Sequence, residues 1–177
     1  MLRKVKLWIK RRVYGIVTVE ELRKNGAVIG NNVELWSNKI DKGHAFLLEI
    51  GNNVTISDAR ILLHDGSTKI FLGYSKVGKV VIGDNVFIGA DAIILPGTKI
   101  GSNVVIGAGA VVKGEIPSDS IVVGIPGKVV CTCAKFIDNN KKLLENCPRY
   151  ETYWPLKTTE EKEKMKIELA DTIGFDI

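Results

Sequence analysis

Residues 82–112 read IGDNVFIGADAIILPGTKIGSNVVIGAGAVV, and an aliphatic residue returns at every sixth position: Ile82, Ile88, Ile94, Ile100, Ile106 and Val112. Gly follows it at Gly83, Gly89, Gly101 and Gly107. Four positions after each aliphatic come Val86, Ala92, Thr98, Val104, Ala110 and Ile116, small or β-branched residues that suit strands. A period of six matches neither the 3.6 of an α-helix nor the plain alternation of a strand in an open sheet. It matches a parallel β-helix, in which each hexad supplies one short strand and one corner, three hexads close a coil, and coils stack ~4.8 Å apart. An antiparallel sandwich has no reason to keep six consecutive hexads in phase, whereas a solenoid requires it.

The same phase extends upstream. Ile50, Ile56 and Leu62 continue it with Gly51 and Val54, and Ile29 and Leu35 repeat it with Gly30 and Val33. Gly-Asn-Asn, Gly-Asp-Asn and Gly-Ser-Asn triplets punctuate the repeats, and Gly and Asn tolerate the left-handed backbone angles of tight corners. Two intervals are too long for the period. Leu35 to Ile50 has three residues more than two hexads, and Leu62 to Ile82 has two more than three. A stacked coil must expel such residues, so residues 65–79 are expected as a loop beside the coil, a place where function often sits.

Composition agrees. Val and Ile together number 40 against 14 Leu, and 16 of the 18 Gly lie between Gly26 and Gly127. The ends read as helix. Residues 2–13 set Leu2, Val5, Trp8, Ile9 and Val13 on one face. Thr18-Val-Glu-Glu21 and Thr158-Thr-Glu-Glu161 have the form of capping boxes, the first opening a short helix that Gly26 ends and the second a helix to about Asp171. Phe136–Asn146 is a further helical stretch, and Cys147–Lys157, with Pro148 and Pro155, is a connector. The expected organisation is thus a helical segment at 1–25, a β-helix domain at 26–133, and a helical extension at 134–177.

The net charge of +5 is unevenly placed. Arg3, Lys4, Lys6, Lys10, Arg11 and Arg12 put +6 into the first twelve residues, leaving −1 for the rest. That balance argues against a nucleic-acid partner, which calls for a basic folded face. The basic amphipathic stretch 1–14 allows a peripheral membrane contact, although packing of its Trp8 face against the β-helix or a neighbouring chain is the more economical reading. Cys131, Cys133 and Cys147 are odd in number and lack zinc spacing, so they read as reduced thiols of a cytoplasmic protein.

His64 stands where the regular coil breaks, and a neutral imidazole there has the chemistry of a general base. Asp65 is adjacent and is the candidate catalytic partner that would orient it, although neighbours on a strand usually point to opposite faces. On spacing alone a structural histidine is the favoured reading, and a lone His-Asp pair is a weak sign of catalysis. His44, one residue before Ala45–Ile50, and the loop residues Tyr74 and Lys76 are candidates for contact with an acceptor; a surface or trimer-contact role is the favoured reading of His44, and packing suits the loop aromatic equally.

The repeats 82–117, with Gly124-Ile-Pro-Gly-Lys-Val-Val130 after them, resemble the hexapeptide-repeat acetyltransferases, most closely the maltose, galactoside and capsular-polysaccharide O-acetyltransferase branch. Ile106-Gly-Ala-Gly-Ala-Val-Val-Lys-Gly-Glu-Ile-Pro117 is similar to the family's end-of-helix signature, and His64-Asp-Gly-Ser-Thr68 to its His-Asp segment. The resemblance implies a left-handed β-helix, a homotrimer, and acetyl-CoA lying in a groove between neighbouring β-helices, with no metal required. It implies that His64 takes the proton of a sugar hydroxyl as that oxygen attacks the thioester. It implies cofactor contacts at Phe87, Ala90 and Ala108, and at Lys113, Gly114 and Lys128. Lys113-Gly114 replaces the family's usual Thr-Lys. Two other readings stay open: an amine acceptor on an amino-sugar nucleotide, and a non-catalytic β-helix scaffold. A zinc hydratase would need three histidines, and the chain has two, His44 and His64.

Overall fold

The computed structural model describes residues 15–177; the basic amphipathic stretch 1–14 lies outside the described residues. Two compact units follow one another, the first ending at Cys133 and the second spanning Ala134–Ile177.

The first unit is a three-faced parallel coil built on vertical rows of aliphatic side chains. On the first face Ile29, Ile50, Ile82, Ile100 and Ile116 are successive register partners. On the second, Leu35, Ile56, Ile88, Ile106 and Val122 stack in the same way. On the third, Ile40, Ile61, Ile94 and Val112 do so. All of them are buried. Each contributes roughly 1.5–3 kcal/mol by leaving water, so the rows are the main source of the unit's stability.

The corner between the first and second faces explains the Gly-Asx-Asn triplets. Asn32, Asn53, Asn85, Asn103 and Asp119 occupy the left-handed region, with φ of 53°, 56°, 55°, 57° and 59°. Their side chains form a ladder in which each amide Nδ2 donates to the next Oδ1, over 3.0, 3.0, 3.0 and 2.9 Å. Two residues earlier the coils approach closely: a Cβ on Gly51 would lie 2.8 Å from the carbonyl carbon of Gly83 and 2.5 Å from Asp84 Oδ1.

The phase of the third face differs from expectation at one coil. Ile61, not Leu62, is the inward residue, since Ile61 is fully buried and Leu62 is not. The corner Ser57-Asp58-Ala59 is one residue shorter than Gly89-Ala90-Asp91-Ala92 above it. Asp58 takes a left-handed φ of 49°, and the two coils regain register at Arg60 and Ile93. The loop also differs from 65–79. An antiparallel pair, His64 with Val77 and Asp65 with Lys76, closes its base, so the excursion runs from His64 to Val77. The coil rejoins at Gly78, whose N–H donates to Leu63 O at 3.0 Å.

The coil's ends are covered. Helix α1 (Val19–Lys24) starts at Thr18, whose Oγ1 accepts from Glu21 N at 3.1 Å. The reciprocal half of the capping box is missing because Glu21 instead pairs with Lys42 at 3.0 Å. Leu22 and Val17 join the core, and Arg23 Nη2 donates to Ile29 O and Gly30 O at 2.7 and 2.8 Å. These bonds satisfy carbonyls on an otherwise open sheet edge. At the other end Lys128–Thr132 pairs antiparallel with Ser120–Val123.

A four-residue helix, α2 (Lys69–Leu72), sits in the long loop. In the second unit, α3 continues from Cys133 to Asn146, and α4 (Thr159–Glu168) opens on the complete capping box of Thr158 and Glu161. The connector contains structure the sequence did not announce: Arg149–Tyr150 pairs with Phe175–Asp176. Lys157, 4% exposed, ties that pair down through Asp176 at 2.7 Å and the carbonyl oxygen of Thr152. Among the described residues no helix is long and apolar enough to cross a membrane.

Candidate active site

Both departures from the six-residue period leave the coil at one corner, between the third face and the first. Residues 41–47 leave after Ile40 and return at Leu48; residues 64–77 leave one coil higher, after Leu63. Coil stacking therefore brings together side chains more than twenty residues apart in sequence.

Asp41 is the centre of the cluster. Its Oδ1 accepts from the backbone N–H groups of Gly43 and His44 at 3.1 and 3.3 Å, a tight Asx turn that fixes the carboxylate. Its Oδ2 accepts from His64 Nδ1 at 2.5 Å and from His44 Nδ1 at 3.1 Å. The two imidazoles lie with ring centroids 4.7 Å apart. Burial pushes the Asp41 carboxyl up. The bonds from His64 and the His44 backbone, with the charges of both rings, outweigh that and hold it below the ordinary range. An ionised carboxylate only accepts, so Nδ1 of each histidine carries a proton toward Asp41, and in a neutral ring the lone pair is then on Nε2. The Asp41 side chain is 11% exposed and that of His64 47%, so the carboxylate is inside and the imidazole reaches solvent.

His64 opens onto a cavity of about 590 Å³, lined also by Leu62, Asp65, Lys76, Val77, Leu95, Pro96 and Lys113. The expected partner Asp65 does not orient His64. Its carboxylate turns to Ser67 N at 2.8 Å and Lys76 Nζ at 3.2 Å. The N–H and hydroxyl of Ser67, with Lys76, depress it to about 2. Strand alternation sends neighbouring side chains apart, and the tight turn at Gly66 captures Asp65 first.

The structure thus brings His44, His64, Asp65, Lys76 and Lys113 to one corner. It does not bring the other expected residues there. Phe87 faces outward on the second face. Ala90 and Ala108 are exposed in successive coils at the corner between the second and third faces, joined by the bond from Gly109 N to Ala90 O at 2.9 Å. Gly114 follows Lys113 but is not among the cavity-lining residues, Lys128 begins the antiparallel end strand, and Tyr74 is exposed on the loop. Asp41 was missed. The signal was present: both long intervals begin after third-face residues of adjacent coils, and Asp41-Lys-Gly-His44 has the form of an Asx turn.

The model of the bacterial transferase hexapeptide (six repeats) matches residues 79–114. CapG of Staphylococcus aureus is 40% identical over 136 residues, covering 72% of this chain and 76% of CapG. This chain belongs to the hexapeptide-repeat transferase family. YvoF of Bacillus subtilis (strain 168) is 38% identical over 96 residues, 54% of this chain, and the chain spans about half of YvoF, 51%. A hexapeptide-repeat acetyltransferase of Vibrio cholerae O1 biovar eltor, solved with acetyl coenzyme A, superposes with a TM-score of 0.50 at 23% identity, over 61% of each chain. That likeness concerns the fold, and the coil of this hexapeptide transferase is accordingly a left-handed parallel β-helix.

Proposed function

We propose that this hexapeptide transferase is an acetyl-CoA-dependent O-acetyltransferase acting on a hydroxyl of a sugar or glycan precursor. The observation that carries the reading is the 2.5 Å bond from His64 Nδ1 to the nearly buried Asp41 beside a cavity that His64 lines; in the neutral ring it leaves Nε2 free to act as the base. Family membership and the acetyl coenzyme A in the Vibrio structure support the donor.

In the mechanism, His64 Nε2 takes the acceptor's hydroxyl proton as the oxygen attacks the thioester carbonyl. Asp41 stabilises the imidazolium that forms, and a backbone N–H serves the tetrahedral oxyanion. The proton then passes from His64 to the departing thiolate. Leu62, Leu95, Pro96 and Val77 provide an apolar wall for the reactants, and Lys113 is a cation for a phosphate of the donor. Phe87 lies on the second face and Ala90 and Ala108 at the corner after it, away from the cavity, so a cofactor that touches both sets lies between two chains. This supports a homotrimer. Lys128, Gly114, Tyr74 and Lys76 remain proposed contacts on the same basis, as does peripheral membrane contact through residues 1–14.

The test is acetyl transfer from acetyl-CoA to a panel of neutral, uronic and amino sugars. His64→Ala should lose nearly all turnover while sedimentation still reports the trimer. Retained turnover refutes the base, and preference for the amine of an amino sugar refutes the hydroxyl acceptor.

A further inference from the structure

We propose that Asp41, His44 and His64 form a binding site for a borderline transition-metal ion, typified by Zn²⁺, and that its occupancy turns the base off. Each residue offers one ligand atom, and the three atoms lie within 4.8 Å of one another. Two imidazole nitrogens and a carboxylate oxygen are a donor set for Zn²⁺, Co²⁺ or Ni²⁺ rather than Mg²⁺ or Ca²⁺. The ligands come from two loops anchored on adjacent coils, so their spacing is set by the scaffold. Closure to Zn–N and Zn–O distances of ~2.0–2.2 Å asks only for side-chain movement. The outer support is already built: Gly43 N and His44 N hold Asp41 Oδ1, the oxygen not facing the histidines. Such second-layer bonds orient a ligating carboxylate. His64 is half-exposed and lines the cavity, so water can complete the coordination.

The consequence rests on the reading of His64 as the base; the binding does not. Without metal, Nδ1 donates to Asp41 and Nε2 holds a lone pair. A metal on Nδ1 requires that nitrogen's lone pair, so the proton of the neutral ring moves to Nε2 through solvent, with no net release. Nε2–H is a donor and accepts nothing. The ion therefore stops catalysis by fixing the wrong tautomer, even where the acceptor still binds. His44 acquires a purpose here that the transfer chemistry does not give it, since one histidine suffices for the base.

The experiment uses the full chain, chelator-treated, with Cys131→Ser, Cys133→Ser and Cys147→Ser so that thiolates do not compete. Calorimetry with Zn²⁺ and visible absorption with Co²⁺ should report one ion per chain. Affinity should fall at least ~10-fold in His44→Ala and in Asp41→Asn, with circular dichroism unchanged. No saturable binding, or equal binding in His44→Ala, overturns the site. In the transfer assay, Zn²⁺ at the same concentrations should inhibit reversibly, and His44→Ala, normalised to its own metal-free rate, should resist. Equal inhibition of both proteins overturns the switch. A chain that binds Zn²⁺ in this way but transfers no acetyl group refutes the proposed function and leaves the site standing.

Discussion

Replacing Asp41 by Asn tests the base assignment without emptying the site. An amide has one acceptor end and one donor end, and Asp41 uses acceptors at both: Oδ1 toward Gly43 N and His44 N, Oδ2 toward the two imidazoles. If the amide oxygen keeps the Asx turn, Nδ2 points at His64 Nδ1 and donates, which moves the ring proton to Nε2. The flipped amide turns an NH₂ toward two backbone N–H groups; water reaches that of exposed Gly43, and the part-buried N–H of His44 loses its acceptor at about 1 kcal/mol. The unflipped form is therefore the favoured one, and in it His64 holds the tautomer that cannot accept a proton. General-base assistance is worth about 10²–10⁴-fold, equivalent to ~3–5 kcal/mol of barrier. The kcat for acetyl transfer should fall by that factor, with KM for acetyl-CoA changed by no more than about twofold. A variant that keeps more than about a tenth of the wild-type kcat shows that Asp41 does not set the tautomer of a catalytic His64.

Three further expectations follow from the geometry. Asn85→Ala removes a donor to Asn103 and an acceptor for Asn53 at a left-handed position, and should cost about 2 kcal/mol, with Asn85→Gly milder; thermal melting reads both. Lys157→Met removes a charge that is 4% exposed and leaves Asp176 unpaired, and hydrogen exchange should rise first at Arg149–Tyr150 and Phe175–Asp176. The folded carboxyl of Asp65 is depressed to about 2 from 3.8, so its contribution to stability is present above about pH 4 and is lost as pH falls toward 2. Asp65→Asn should therefore narrow the gap to wild type across that window in acid melts, and an unchanged gap would contradict the Ser67 and Lys76 contacts.

The rows of Ile82, Ile88 and Ile94 and their successors were legible because every coil repeats one physical demand: an inward aliphatic every six residues. Ile61 was not, because a one-residue shortening at Asp58 leaves Leu62 looking like a valid member of the period. His64 was legible as the residue at the break. Its partner was not, because the bond to Asp41 spans 23 positions and exists only when two loops share a corner. Adjacency in sequence favoured Asp65, and local turn chemistry took that carboxylate elsewhere. In the second unit, the pairing of Arg149–Tyr150 with Phe175–Asp176 has only two residues per strand, too few for any period to register.

The asparagine ladder has a direction. Every amide passes its Nδ2 hydrogen onward, from Asn32 through Asn53, Asn85 and Asn103, and the last receiver is Asp119, which has no hydrogen to pass on. A row of amides could in principle be extended by one more coil or by the end of another molecule. A carboxylate closes it. The row thus ends in hydrogen-bond polarity at position 119, on the same coil whose next strand, Ser120–Val123, is covered by the antiparallel Lys128–Thr132.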